Sequence, residues 1–166
     1  MPLHSPELAY LSLGSNLGDR AANLRAAVER LTELETVTAS SGLYLTEPVE
    51  FLDQPWFLNC AVALETRSTP QELLAHALAI EKAMGRRRTW DKGPRVIDID
   101  ILLFGDRVID EPGLKIPHPA MHERRFVLEP LAEIAPRALH PTLLKTASQL
   151  LAGLPSGQAV QILKSC

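Results

Sequence analysis

The chain has 166 residues, 46% of them hydrophobic and 22% charged, with a net charge of −3. That length supports one domain, residues 1–166, able to bury about two-thirds of its unfolded surface without covalent staples. The small negative charge excludes a global pull toward nucleic acid or membrane, and no apolar run is long enough to span a bilayer.

Residues 1–6 lack a signal-peptide core, and a start at Met1 argues against a fused upstream partner. Cys60 and Cys166 form no pairing motif and fit a reduced cytoplasm. Residues 8–13 (LAYLSL) are an apolar run ending in Gly14-Ser15-Asn16-Leu17-Gly18-Asp19, which predicts strand, tight turn and helix. The same loop could instead cradle phosphate at the helix start, although its glycines have neither dinucleotide-binding nor P-loop spacing. The helix is expected over 20–34, with Leu24, Val28 and Leu31 on one face and Ala27 and Leu34 widening the stripe.

Residues 37–45 predict a second strand, interrupted around Ser40-Ser41-Gly42. Residues 46–55 (TEPVEFLDQP) have no period; a loop of that length is either disordered or a functional lid. Residues 56–66 (WFLNCAVALET) predict a third strand, whose interior Asn59 needs partners for both ends of its amide. Thr69-Pro70-Gln71-Glu72 is a capping box with proline at the first helical position. The helix it opens turns Leu73, Ala77, Ile80 and Met84 inward and ends at Gly85. Glu81, in its last turn, meets the like-signed end of the helix dipole.

The next stretch has two halves. Residues 86–95 carry Arg86, Arg87, Arg88, Lys92 and Arg95 against Asp91 alone. Residues 96–104 are apolar apart from Asp98 and Asp100, and the alternation Ile97-Asp98-Ile99-Asp100-Ile101 predicts a strand. On a strand the two carboxylates share a face at about 6.5 Å, with the isoleucines turned to the core. Carboxylates so placed repel and lose hydration unless something positive joins them. Neighbouring arginines could do so on an exposed strand face. Magnesium could also do so, since it takes carboxylate, water and phosphate oxygens, and a pair of ions about 3.5–4 Å apart would fit. The adjacent cations favour metal-bound polyphosphate, with arginines on phosphate oxygens and carboxylates on metal.

Gly105-Asp106 then reads as a two-residue hairpin turn, with residues 107–109 returning. Residues 114–119 (LKIPHP) are a short extended piece. A helix is expected from near Pro130 to before Pro136, another capped by Thr142 and running to about Ala152, and an edge strand over 158–164. His118 has no second ligand at metal spacing, which argues against zinc. The element order is that of a split β-α-β, ferredoxin-like α+β fold: an antiparallel sheet with both helices on one face, an added hairpin and C-terminal helices. That fold carries no activity by itself.

The segment Asp91-Lys92-Gly93-Pro94-Arg95-Val96-Ile97-Asp98-Ile99-Asp100-Ile101-Leu102 resembles the signature of the 6-hydroxymethyl-7,8-dihydropterin pyrophosphokinases of the folate pathway. G-S-N-L-G-D at 14–19, T-x-P at 46–48, Asn59 and Pro117-His118 match further elements of that family in the same order. The resemblance implies transfer of diphosphate from ATP to the hydroxymethyl oxygen of 6-hydroxymethyl-7,8-dihydropterin, releasing AMP; a cytoplasmic location and a monomer are the accompanying expectations. It implies Arg86 and Arg95 as catalytic cations and two Mg2+ ions on Asp98 and Asp100. ATP contacts would come from Glu81, Arg88, Ile101, Lys115, His118 and Arg124, and pterin contacts from Thr46, Val49, Phe57, Asn59 and Phe126. Read from the residues alone, Glu81 and Asn59 also suit structural hydrogen bonds, Arg124 a surface cation and Phe126 a core aromatic. Lys92 stands where the family pattern has an aromatic, and Gly113, Lys115 and Pro119 where some relatives have arginine, threonine and tyrosine. Two rivals share the same residues: a non-catalytic ferredoxin-like nucleotide-binding module, and a metal-dependent phosphodiesterase with water as acceptor.

Overall fold

Strand alternation and helical stripes sort the apolar side chains onto the two faces of one sheet. The computed structural model describes residues 5–47, 55–85, 95–155 and 160–163. In chain order these form β1 (Glu7–Ser15), α1 (Arg20–Leu34), β2 (Thr36–Ser40), β3 (Leu43–Thr46), β4 (Phe57–Thr66) and α2 (Pro70–Ala83). Then come β5 (Asp98–Phe104), β6 (Ile109–Glu111), β7 (Leu114–Ile116), a 3-10 turn (Met121–Glu123), α3 (Arg125–Ile134), α4 (Ala147–Ala152) and β8 (Val160–Leu163). The main sheet has the order β5-β1-β4-β3-β8, with β2 also pairing β4. Its pairings are antiparallel, which is the ferredoxin-like arrangement.

The two central helices cover one face. Leu24, Ala27 and Leu31 of α1 and Leu73, Ala77 and Ile80 of α2 are buried in one cluster with Leu11, Leu13, Val62, Leu64, Ile99 and Ile101 of the sheet. Both helices start at side-chain caps, Asp19 accepting from Ala22 N at 3.1 Å and Thr69 with Glu72 completing the box. On the opposite face Val127, Leu128 and Leu131 of α3, with Ala147 and Leu150 of α4, pack on Ala61, Leu102 and Leu103. A register shift, from Leu11 opposite Ile101 to Tyr10 opposite Leu103, leaves Leu102 unpaired in the ladder, so Leu102 and Leu103 both join this second cluster. Among the described residues no helix is long and apolar enough to cross a membrane.

Several expectations need correction. Leu34 does not extend the buried stripe of α1; it ends the helix and is 48% exposed. The G-S-N-L-G stretch is not a turn throughout: β1 runs through Gly14 and Ser15, and the chain bends only at Gly18, with φ +70°. Gly105-Asp106 does not return residues 107–109 along β5, because Arg107 leaves the strand to pair with Glu7 at 2.5 Å. The hairpin forms one turn later, β6 against β7, with Pro112 and Gly113 as its two loop residues. Gly113 takes φ +81°, which a type II turn requires and glycine supplies without strain.

The helix expected from Pro130 begins at Arg125 and contains that proline. An interior proline costs roughly 3 kcal/mol. Burial of Val127, Leu128 and Leu131, at about 1.5–3 kcal/mol per side chain, outweighs it. The cap expected at Thr142 lies instead at Thr146, whose hydroxyl accepts from Gln149 N at 3.2 Å while Gln149 accepts from Thr146 N at 2.9 Å. His140 prevents the earlier start, since its Nδ1 accepts the N–H groups of Thr142 (3.3 Å) and Leu143 (3.0 Å). Leu144 then adopts φ +57°.

That use of Nδ1 requires a neutral ring. Burial, and then the His122 ring 6.2 Å away, hold the His140 pKa below its ordinary 6.5. A lowered histidine pKa means that the unfolded chain takes up the proton first. The stabilising contribution is therefore present above 6.5 and is lost as pH falls from there through the folded value. In His140→Asn, Oδ1 can stand in for Nδ1 without titrating. Thermal melts between pH 8 and 5 should show a smaller loss of Tm for the variant than for the wild-type chain; parallel curves would contradict this account.

Candidate active site

The site is built on cross-strand neighbours. Asp98 lies opposite Gly14 on β1, Gly14 opposite Asn59 on β4, and Asn59 opposite Tyr44 on β3. Residues directly opposite share a face, so a row Asp98–Gly14–Asn59–Tyr44 crosses the sheet away from α1 and α2. The next rows place Asp100 beside Ser12, and Phe57 beside Thr46. Asn59 is buried and donates from Nδ2 to Thr46 Oγ1 at 2.5 Å, joining the two strands that carry the predicted pterin residues. Between Asn59 and Asp98 there is only a glycine. A Cβ at Gly14 would lie 2.6 Å from Asn59 Oδ1 and 3.4 Å from the Phe57 ring, so the absent side chain keeps this floor open.

The other half of the site is charged. Ile99 and Ile101 are buried in the core, and Asp98 and Asp100 project from the opposite side of β5, as expected. Asp98 pairs with Arg95 at 3.1 Å. Glu81 is buried and accepts the Ile99 N–H at 2.8 Å, so it locks the outer edge of β5 to the end of α2. Burial first, then the charges of Asp98 and Glu81, push the Asp100 carboxyl up to about 7, while Arg124 and Arg95 pull it back. A half-buried carboxyl raised by lost hydration and by its acidic neighbours suits a hard cation, and its oxygen donors are those magnesium takes. Among the described residues no group of three His, Cys, Asp or Glu side chains comes together as a metal cage. Any ion here would complete its shell from water or phosphate.

His118 is half-buried, with its N–H on Leu102 O at 3.0 Å and its Nδ1 accepting from Ala120 N at 3.2 Å. Its pKa is lowered by burial and by Arg124, with Asp98 opposing. Arg124 lies over the Phe126 ring at 5.5 Å, a cation–π contact. Asp98, Asp100, Glu81, Arg95, His118 and Arg124 thus act on one another, with Phe57, Asn59 and Thr46 across Gly14. Two predicted residues lie elsewhere. Lys115 pairs with Asp110 at 2.5 Å on the small hairpin, and the Ile101 side chain belongs to the core. Because Ile99 turns its N–H off the sheet edge toward Glu81, strand alternation turns the Ile101 main chain the same way. Arg86, Arg88 and Val49 lie outside the described residues.

The family model described as 7,8-dihydro-6-hydroxymethylpterin-pyrophosphokinase (HPPK) matches residues 10–136. The chain belongs to the HPPK family. It is 52% identical over 130 residues to the 2-amino-4-hydroxy-6-hydroxymethyldihydropteridine pyrophosphokinase of Methylorubrum extorquens, covering 77% of this chain and 82% of that one. It is 50% identical over 129 residues to the protein of the same name from Bacillus subtilis, covering 76% and 77%. The folic acid synthesis protein FOL1 of Dictyostelium discoideum is 42% identical over 150 residues, which are 90% of this chain but 23% of that longer protein. The HPPK-DHPS of Plasmodium falciparum superposes with a TM-score of 0.71 at 18% identity, over 89% of this chain and 44% of that one, and so shares the fold.

Two residues of this HPPK site were not singled out from sequence: Gly14, as the open floor, and Asn16. The latter is buried and bonded to Arg95 and to Pro55, just before β4. Their signal was the G-S-N-L-G-D motif, which names the residues but not their neighbours. A separate cleft of about 550 Å³, lined by Glu33, Glu35, Glu65 and Arg67 among others, contains none of these residues.

Gly14→Ala should push Asn59 aside. Losing a buried amide contact costs about 1–3 kcal/mol, so pterin affinity at equilibrium should fall roughly tenfold or more while ATP affinity stays within a few-fold. Unchanged pterin binding would refute the glycine's role. Asp100→Asn should trade activity for stability. The folded pKa near 7 lies above the ordinary 3.8, so the folded state keeps a proton that the unfolded chain releases, and the penalty grows as pH rises from about 4 to about 7. Above pH 7 and without metal, the variant should melt no lower than wild type, yet be inactive. A lower Tm at pH 8 would argue that the carboxylate supports the fold.

Proposed function

We propose that the chain transfers diphosphate from ATP to the hydroxymethyl group of 6-hydroxymethyl-7,8-dihydropterin, releasing AMP, as a step of folate synthesis. The observation that carries this reading is the cross-strand row, which sets the Asn59 pocket beside the Asp98–Asp100 carboxylates with only Gly14 between them. Neighbouring strands are about 4.8 Å apart. Asn59 and Asp98, two strands apart, are therefore separated by roughly 10 Å at the backbone, room for an acceptor hydroxyl to meet a metal-bound phosphate.

The hydroxymethyl oxygen attacks the β-phosphorus of ATP and loses its proton, the bond from that phosphorus to the α–β bridging oxygen breaks, and AMP departs. Such transfer needs alignment and charge neutralisation rather than a protein nucleophile. Asp98 and Asp100 would hold two Mg2+ ions, which supply neutralisation of the triphosphate. Asn59 and Thr46 fix the pterin edge, and Phe57 and Phe126 flank its ring. Arg95 and Arg124 face the phosphates, with His118 beside them as a donor from Nε2, since Nδ1 is already an acceptor. Glu81 holds β5, and the outward main chain of Ile101 offers a donor and an acceptor to the nucleotide base. Lys115, and Arg86, Arg88 and Val49 outside the described residues, complete the ATP and pterin contacts on the strength of the family resemblance.

The test is AMP release from Mg-ATP with and without the hydroxymethylpterin. AMP should appear only when the pterin is present. AMP without pterin would make water the acceptor, and nucleotide binding without AMP would make the chain a non-catalytic module. Arg95→Ala should lower kcat by more than it weakens ATP binding, because its contact strengthens as charge shifts toward the departing AMP. Equal losses would mark Arg95 as a ground-state contact.

A further inference from the structure

Asn16 sits one residue beyond β1, is 1% exposed, and carries no charge for either substrate to use. Its main-chain N–H donates to Arg95 O at 3.0 Å, and its Oδ1 accepts the Arg95 N–H at 2.6 Å, so both polar main-chain groups of Arg95 are taken by this one residue. Its Nδ2 donates to Pro55 O at 3.2 Å. Pro55 leads directly into β4, the strand of Phe57 and Asn59, while Arg95 pairs with Asp98. One side chain thus splices the pterin half of the site to the phosphate half, across sequence separations of 39 and 79 residues.

The splice is anchored. Asn23, on α1, donates to Leu17 O at 2.8 Å and to Ser15 Oγ at 3.2 Å, gripping the chain on both sides of Asn16. Arg20, also on α1, donates to Trp56 O at 2.7 Å and holds the entry to β4 from the same helix. An amide is the side chain this junction needs, since it accepts from one strand and donates to the other. Serine or alanine could not reach both.

We infer that Asn16 is a positioning residue that sets the separation of the acceptor and donor subsites, touching neither substrate. The inference rests on the pyrophosphokinase reading. In-line transfer is sensitive to separation, and a misplacement of about 1 Å can cost on the order of 10²-fold in rate. Loosening the splice should therefore reach kcat and leave the two binding constants nearly alone.

The experiment compares wild type, Asn16→Ala and Asn16→Asp in AMP release with both substrates varied. Pterin and ATP affinities are measured separately at equilibrium, and folding is checked by thermal melts. Asn16→Asp keeps the acceptor for Arg95 N–H but sets a carboxylate oxygen against Pro55 O, so it severs the β4 side alone. Both variants should lose on the order of 10²-fold in kcat, with each substrate's affinity within about threefold of wild type. Asn16→Asp with wild-type kcat would overturn the inference, as would losses of affinity that match the loss of kcat. Either result, with wild type releasing AMP, leaves the pyrophosphokinase reading standing. Wild type releasing none would sink both.

Discussion

Unneutralised acid on an apolar strand is the constraint around which the molecule is arranged. One side of β5 gives Ile99 and Ile101 to the core, with Ile97 just before it, and that burial fixes where the other side must point. Asp98 and Asp100 are therefore thrust together, with Glu81 brought in from α2. Glu81 takes a main-chain N–H and Asp98 takes Arg95. Asp100 is left with the excess: half-buried, beside two like charges, and with two arginines that only partly offset them. A fold tolerates such a penalty when the cluster is completed by something outside the chain. Two magnesium ions carrying a triphosphate would supply the missing positive charge at the metals and meet the arginines with the phosphates.

The rest of the sheet determines what can lie next to that charge. In the order β5-β1-β4, β1 is a spacer, and in the proposed reading its width separates the phosphate half from the pterin half. Gly14 makes the spacer flush with the floor, and Asn16, two residues on, ties the strands on its two sides to one another. The same strand thus clears the space between the substrates and sets its width.

Much of this was legible in the sequence, for a physical reason: periodicity reports which face a side chain takes. The isoleucine–aspartate alternation, the capping box at Thr69 and the stripes of α1 and α2 each depend on neighbours within a few residues, and apart from Leu34 they appear where expected. The misread elements have other causes. Arg107 leaves the strand for Glu7, a hundred residues away in sequence; α3 runs through Pro130 because the sheet beneath buries its neighbours; and Thr142 loses its cap role to the ring of His140. In the first two a tertiary contact overrides a sound local signal; in the third a nearer local partner does so. The site divides likewise. Asp98 and Asp100 are visible as a pattern, whereas Gly14 and Asn16 matter only through residues far along the chain, and their roles emerge only when β1 is seen between its partners.

The two ends of the sheet also show how a functional carboxylate differs from a structural one. At the end away from the site, Glu35 is buried but met on every side: Thr66 donates to it at 2.5 Å, Ser68 at 2.7 Å, and His76 lies at 2.8 Å. That cluster answers its own charge within the chain and ties α1, β4 and α2 together. At the other end, Asp100 is half-buried, and loss of hydration first and then its acidic neighbours oppose its ionisation. The difference lies in the partners: Glu35 is met by donors of the chain itself, whereas Asp100 faces Asp98 and Glu81, which under the proposed reading leaves a place for a metal and a nucleotide.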